Sequence, residues 1–350
     1  MPLVCGAGVA GVPGLCRPGR GHPRGPPRDE GDGTMEGGRV NSQQLPDMLA
    51  ALKARLEAPA PLRSRVLAEL IGRQALRQLT EPERELKPRL PTISDLGKCA
   101  RALAFKRAGA PPRGHVGDWR ARLTWMTGDA VEATLLTALA ESLDGTGYHL
   151  AALGTEDRQE NVTLAVRGEA IRGHPDAVLL DDDGIAVVSV GCKSANPYAF
   201  DLWAGAVEEG REPWGPDESY YWQAQGYIYA LTLPAEYEIV EDKSSGAVIG
   251  WFHRRDPNYV LRLAAHLAHS RGDPSAAPRT LPDGRELVPA VDLHKTLGTP
   301  NKGHGLLPWQ CCYCPYWRTC WPAAVETVTW YPRPKRALQI PNFEEAKTND

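Results

Sequence analysis

No run in the 350-residue chain approaches eighteen consecutive apolar residues, so no helix long and apolar enough to cross a membrane is expected. Charge of one sign is also nearly lacking. The formal net charge is -3, so a nucleic-acid partner must be held by local basic patches and not by a global field. The opening residues lack a positive n-region, and their apolar run is broken repeatedly by Gly and Pro, so a secretory signal is not expected. No internal repeat is visible. What is present is ordinary globular composition, 42% hydrophobic and 24% charged, which excludes a wholly disordered or fibrous chain. The length suits one large or two small domains. Eight cysteines are clustered, not spread as in a disulfide-stapled secreted domain. That pattern points to a reducing, cytoplasmic setting and to metal. Ten Trp is unusual for this length, and Trp309, Trp317, Trp321 and Trp330 fall near the C-terminus.

Residues 1–40 are crowded with Gly and Pro and read as a disordered tail, in which Cys5 and Cys16 do no chemistry. Two amphipathic helices begin near Leu45 and Leu62, separated by Pro59 and Pro61, and make 41–90 a helical N-terminal extension. Ser94 is a candidate N-cap for a helix running through Cys99 to Gly109, and another helix spans Trp119 to Leu143. The period then changes to two. NVTLAVR, IRGHPDAVLL and GIAVVSVGCK read as three β segments, with a hairpin turn at Asp183-Gly184 between the last two. Helices follow at about Tyr198–Val207 and Glu218–Leu233, then a strand pair (YEIVED, GAVIGWFH) and a helix from Pro257 to Ser270. This order predicts an α/β fold, helices covering a mixed central sheet, with its core over 91–275. Residues 276–332 form a cysteine-bearing segment, and 333–350 a basic and then frayed tail.

Asp176 follows His174-Pro175 at the start of one strand, and Lys193 ends the next. A hairpin at Asp183-Gly184 lays the two side by side, so both side chains can enter one pocket. A carboxylate offers hard oxygen to Mg²⁺ or Mn²⁺, and a neighbouring ammonium can orient water or offset charge on a phosphate. Spacing alone is also satisfied by a solvated cross-strand pair. Asp181, Asp182 and Asp183 read as a solvated turn, and Tyr220, Tyr221 and Trp222 as core rather than as a base-stacking platform.

Gly173-His174-Pro175-Asp176, then strand, turn and strand into Val190-Gly191-Cys192-Lys193-Ser194, resembles motifs II and III of the PD-(D/E)XK nuclease superfamily. Gln225 to Tyr229 looks like the Q-x3-Y motif of its RecB-like branch, with Gln223 giving an alternative register. Gly128-Asp129-Ala130-Val131-Glu132 is similar to the helical motif I. Together these cover about residues 94–255. The resemblance implies a catalytic set of Asp176, Lys193, Glu132, Gln225 and Tyr229. It also implies a Mg²⁺ or Mn²⁺ held by Asp176, Glu132 and the backbone carbonyl of Cys192, with His174 able to approach it. One departure stands out. The family places Asp or Glu two residues before the lysine, and this chain has Gly191. Either Glu132 supplies the second carboxylate, or the site is degenerate and the protein binds DNA without cutting it. On the degenerate reading, Gly191→Asp would restore cleavage.

Cys311, Cys314 and Cys320 form C-x2-C-x5-C, and thiolates at x2 spacing can grip one metal centre from a tight turn. Cys99 is the natural fourth ligand, Cys192 its rival, and Cys312 a spare. One distant cysteine joined to such a C-terminal set resembles the iron–sulfur staple of AddB-type nucleases and of the CRISPR-associated exonuclease Cas-four. The resemblance implies a [4Fe–4S] cluster held by Cys99, Cys311, Cys314 and Cys320; spacing alone admits zinc as well. Lys98, Arg101, Lys106, Arg107, Arg113, Arg120 and Arg122, with Arg333, Lys335 and Arg336, would converge on a rim suited to a single strand. The expectation is a cytoplasmic exonuclease acting on single-stranded DNA ends in recombination, repair or phage DNA processing, with a recombination or repair partner. A DNA-binding or partner-docking chain of the same fold is the alternative.

Overall fold

The computed structural model describes residues 47–58, 89–112, 119–151, 162–291, 305–329 and 335–341. The Gly/Pro-rich opening, the amphipathic helix expected from Leu62 and the tail after Asn342 lie outside the described residues. Helix α1 (Met48–Glu57) starts where Asp47 accepts from the Ala50 amide at 3.0 Å. The helix expected from Ser94 is divided. A single 3-10 turn, Ile93–Asp95, carries a capping box from Thr92, and α2 (Ala100–Arg107) begins afresh with Cys99 as its N-cap. The division follows from Asp95, which is 3% exposed and whose carboxylate takes the Thr92 amide and hydroxyl and the ammonium groups of Lys98 and Lys106. Helix α3 (Trp119–Ser142) lies where the sequence places it.

The next strands are β1 (Tyr148–Ala151), β2 (Val162–Val166), β3 (Glu169–Gly173), β4 (Ala177–Asp181) and β5 (Ala186–Ala195). The segment IRGHPDAVLL is two strands, not one. Pro175 has no amide to donate to a ladder, so the chain leaves the β2–β3 hairpin there and enters the main sheet as β4. The β2–β3 turn puts both Arg167 and Gly168 at positive φ, as a two-residue hairpin of matching twist requires. Helices α4 (Pro197–Glu208) and α5 (Ser219–Ala230) follow. Asn196 caps α4 and Pro197 opens it. Then come β6 (Ala235–Asp242), β7 (Val248–Arg254) and α6 (Tyr259–His269).

The central sheet runs β1-β4-β5-β6-β7, antiparallel except for the parallel β5–β6 pair, so it is mixed, and α4 and α5 make the crossover. Both faces are covered. Met48, Leu52, Leu135 and Leu139 of α1 and α3 pack on Val188, Val190 and Ile239. On the other face Phe200, Trp203, Trp222 and Tyr259 pack with Val240 and Trp251. Tyr221 and Trp222 are therefore core residues, as their setting in the sequence suggested. Ile93 wedges between Gly173 and Gly226, where any added Cβ would meet it at 2.7 and 2.6 Å. This contact seats the 3-10 turn beside the end of β3, just before the bend that leads to Asp176.

Residues β8 (Ala290–Val291), β9 (Gly305–Leu306), β10 (Val325–Thr329) and β11 (Lys335–Ile340) make a second sheet in the order β10-β11-β9-β8. Two single-turn helices, α7 (Trp309–Cys312) and α8 (Trp317–Cys320), carry the cysteines beside it. None of the described helices is long and apolar enough to cross a membrane.

Candidate active site and cysteine centre

Antiparallel β4 and β5 bring Asp176 and Lys193 together. The Lys193 ammonium lies 3.1 Å from Asp176 Oδ2 and 3.1 Å from the Cys192 carbonyl, and the Cys192 amide donates to the same Asp176 oxygen at 2.8 Å. Both side chains are mostly buried, 16% and 13% exposed, which is not the state of a solvated cross-strand pair. Burial works against the lysine's charge, yet Asp176, Glu238 and Glu236 hold it well above the ordinary lysine value. Glu132 on α3 faces the same group. Burial and then the Asp176 charge push its carboxyl up to about 8, with Lys193 pulling the other way.

The surprise lies on β6. Parallel pairing sets Gly191 beside Glu238 and Ser189 beside Glu236, so all four share one face of the sheet. Glu236 and Glu238 are 2% and 1% exposed. They hydrogen-bond each other, and the Ser189 hydroxyl donates to Glu236 Oε2 at 2.7 Å. Burial, first of all, raises both carboxyls, and the charge of Glu238 adds to the rise at Glu236. Glu238 Oε2 has no hydrogen-bond partner, an omission that costs about 1–3 kcal/mol in a buried group. A Cβ built on Gly191 would meet that oxygen at 2.5 Å and Glu236 Oε1 at 3.0 Å. The room for a motif carboxylate at position 191 is thus filled from the neighbouring strand. Across β7, buried His253 pairs with Glu236 in register; its Nδ1 lies 3.0 Å from Glu212 Oε2 and its Nε2 has no partner.

Gln225 and Tyr229 point elsewhere. Gln225 is fully buried, donates to the Arg254 carbonyl at 2.6 Å and accepts from the Asp256 amide at 2.9 Å. The Tyr229 hydroxyl donates to the Asp256 carbonyl at 2.7 Å. The pair clamps the turn between β7 and α6. The alternative register faces the carboxylates: Tyr227, bonded to Gln223, donates to the His174 carbonyl at 2.7 Å, and burial together with Asp176 and Glu236 raises its phenol. His174 is exposed and turns its carbonyl inward. The Cys192 thiol lies in the core against α3, on the opposite face from Lys193.

Sequence reasoning missed Glu236 and Glu238. They stand at i, i+2 on β6, a strand that also carries Glu241 and Asp242, and nothing in the local pattern marks this pair for burial. Among the described residues, no three His, Cys, Asp or Glu side chains converge tightly enough to hold a metal ion as they stand. The donor set nevertheless fits a hard divalent cation in kind. Four carboxyl groups surround one ammonium, one of their oxygens is orphaned, and three of the four have raised proton affinity.

The four cysteines also draw near one another, without closing to a metal-ready set as they stand. Cys99, Cys311, Cys314 and Cys320 line one cavity of about 200 Å3, closed in by Phe105 and Trp317. Amides and a guanidinium point at sulfur: Ala102 N–H donates to Cys99 Sγ at 3.4 Å, and Arg279 Nε to Cys320 Sγ at 3.3 Å. Burial and the neighbouring sulfurs push the Cys314 thiol up to about 12 and raise Cys99 and Cys311. A cationic centre relieves that repulsion, so the set fits a thiolate-bound metal. Cys192 lies in another core, and Cys312 donates to the Pro308 carbonyl. The Cys99 helix is also tied by backbone bonds, Ala100 to Thr280 and Arg101 to Pro278.

The expected basic rim is engaged internally. Lys98 and Lys106 pair with Asp95, Arg107 with Glu169, and Arg101 with the Ala277 carbonyl. The side chains of Arg113, Arg120, Arg122, Arg333, Lys335 and Arg336 lie outside the described residues.

His266 of α6 fixes the approach to Cys99 by bonding the Lys98 carbonyl at 2.9 Å. Burial lowers its pKa from 6.5 to about 4, the Lys98 bond opposing. Between those values the unfolded chain binds a proton that the folded one refuses. Stability is therefore full above pH 6.5, falls as pH drops, and stops falling near 4, by at most about 3 kcal/mol. His266→Gln keeps a donor for Lys98 and should flatten the urea midpoint across this window. An unchanged slope would assign the acid sensitivity to other groups.

No protein-family model matches the chain, and no curated protein does. Among solved structures it is similar to SSO0001, at 13% identity over 72% of this chain and 94% of that one, with a TM-score of 0.36. It is also similar to an alkaline exonuclease, LHK-Exo, from Laribacter hongkongensis, at 15% identity over 51% of this chain and 83% of that one, with a TM-score of 0.31.

Proposed function

We propose that the chain is a metal-dependent deoxyribonuclease of the PD-(D/E)XK type, from the RecB-like branch that carries a [4Fe–4S] cluster. The observation that carries this reading is the buried Asp176–Lys193 pair at 3.1 Å, joined where β4 begins beside β5, with the Glu132 carboxyl feeling both charges. Asp176 and Glu132 are the side chains that would hold Mg²⁺ or Mn²⁺, together with the Cys192 carbonyl. When bound, such an ion polarises a phosphodiester and lowers the pKa of a water. Lys193 holds an ammonium where charge develops on the phosphate oxygens, and it is kept charged by its carboxylate neighbours. Tyr227 and Gln223 brace the His174-Pro175 bend that aims Asp176. Cys99, Cys311, Cys314 and Cys320 would hold the cluster as a structural staple. Single-stranded ends as substrate, and a recombination, repair or phage setting with a matching partner, rest on the motif resemblance.

The alternative is a chain of this fold that binds DNA without cutting it. It is favoured by Gly191 and by the lack of a tight metal-ready cluster among the described residues. One assay separates the two: anaerobically purified full-length protein with end-labelled single- and double-stranded DNA, in Mn²⁺ and in EDTA. Degradation in Mn²⁺ that EDTA abolishes is the expected result. DNA binding without cleavage, from protein with its cluster intact, would move the reading to the alternative.

A further inference from the structure

Position 191 has no side chain, yet the space beside it holds a carboxylate. We propose that Glu238 of β6 supplies the metal-directed carboxylate that β5 lacks at Gly191, with Glu236 positioning it. The inference rests on the nuclease reading above and deepens it.

Three observations converge. First, β5 and β6 run parallel with Gly191 opposite Glu238, so the two Cα atoms present the same face of the sheet. A carboxylate on either strand can then serve one point between them. Second, Glu238 Oε2 occupies the volume a side chain at 191 would need: an added Cβ would sit 2.5 Å from it and 2.9 Å from its carboxyl carbon. Glycine at 191 is therefore what lets Glu238 reach across, and not merely a lost ligand. Third, that oxygen is buried and without a hydrogen-bond partner, while the Glu236 carboxyl, fixed by Ser189 at 2.7 Å, bonds the same side chain. One end of Glu238 is held and the other is left open, the disposition of a ligand awaiting a cation. Asp176 and Lys193 share the surroundings, since both act on the charge of Glu238.

This reverses what the sequence suggested for Gly191→Asp. Adding a carboxylate there collides with the one already present.

The test uses the full chain and Mn²⁺ itself. Mn²⁺ affinity is measured by calorimetry, and cleavage in parallel, for wild type, Glu238→Gln, Gly191→Asp and the double variant Gly191→Asp/Glu238→Ala. Glutamine keeps the shape and the bond to Glu236 but removes the anionic oxygen. The expected result is a 10- to 100-fold loss of Mn²⁺ affinity in Glu238→Gln, the size associated with loss of a supporting ligand contact. Gly191→Asp alone should lose affinity to a similar extent, and the double variant should recover most of it, because the carboxylate returns through the vacated space. Should either single variant fail to fold, the double variant measured against wild type carries the comparison.

Failure of this inference and failure of the nuclease reading are distinguishable. Wild-type cleavage with unchanged Mn²⁺ affinity in Glu238→Gln would overturn the role of Glu238 and leave the nuclease standing. Mn²⁺ binding that depends on Glu238, without cleavage by wild type, would support the site and overturn the reaction. A wild type that binds no Mn²⁺ would overturn the proposal outright.

Discussion

With Lys193 replaced by methionine, cleavage in saturating Mn²⁺ is expected to fall about 100- to 1,000-fold, the typical loss when one preorganised donor is removed from a transition state. The ammonium is held at 3.1 Å by both Asp176 and the Cys192 carbonyl, so it has little freedom to lose when substrate arrives. Burial alone would discharge it, and the surrounding carboxylates prevent that. Methionine fills the same volume without charge. Mn²⁺ affinity should stay level or rise in this variant, because a repelling cation has gone while the carboxylates remain. That separates a kinetic defect from a folding one. Lys193→Arg should recover only part of the rate, since a planar fork does not replace a compact point charge. Activity within tenfold of wild type in Lys193→Met would remove Lys193 from the reaction.

The second large effect belongs to the cysteines. Protein purified without oxygen should carry iron and sulfide in equal amounts, and Cys311→Ser should lose both together with the packing of the C-terminal segment. A chain-entropy scaling gives the size. A cross-link joining Cys99 to Cys311, more than two hundred residues apart, contributes up to about 5 kcal/mol. That is comparable to the whole net stability of a domain. Loss should therefore appear as early melting and proteolysis of the segment after Ala276. Cys312→Ser is the control and should keep its metal, because that thiol turns to Pro308 and away from the cavity. One zinc per chain without sulfide would overturn the iron–sulfur assignment while leaving the staple in place.

Much of the fold was legible because it is local. Apolar spacing marks α1, α3 and α6, the Asp183-Gly184 turn marks the β4–β5 hairpin, and the helix expected at about Tyr198–Val207 is α4. The misses are equally physical. IRGHPDAVLL looks continuous because β-forming apolar residues stand on both sides of Pro175, while the missing amide ends the ladder. Strands β8 and β9 have two residues each, too few for any period to show. Strand β1 is a four-residue edge with the same difficulty. On α5, Q-x3-Y occurs in two registers, and local spacing does not say which face of the helix meets Asp176.

The sequence by itself determined the Asp176–Lys193 pair, because two residues flanking one short hairpin have almost nowhere else to go. Its C-x2-C-x5-C spacing marked Cys311, Cys314 and Cys320 as neighbours, while only the fold brings Cys99 to the same cavity. Only the tertiary structure decided what stands in the empty place at Gly191. Glu238 reaches it through a parallel pairing across α4 and α5, and nothing in the local pattern of either strand encodes a register set by two intervening helices. The same non-local packing buried Glu236 and Glu238, whose alternation on β6 would have served equally well on a face turned to water.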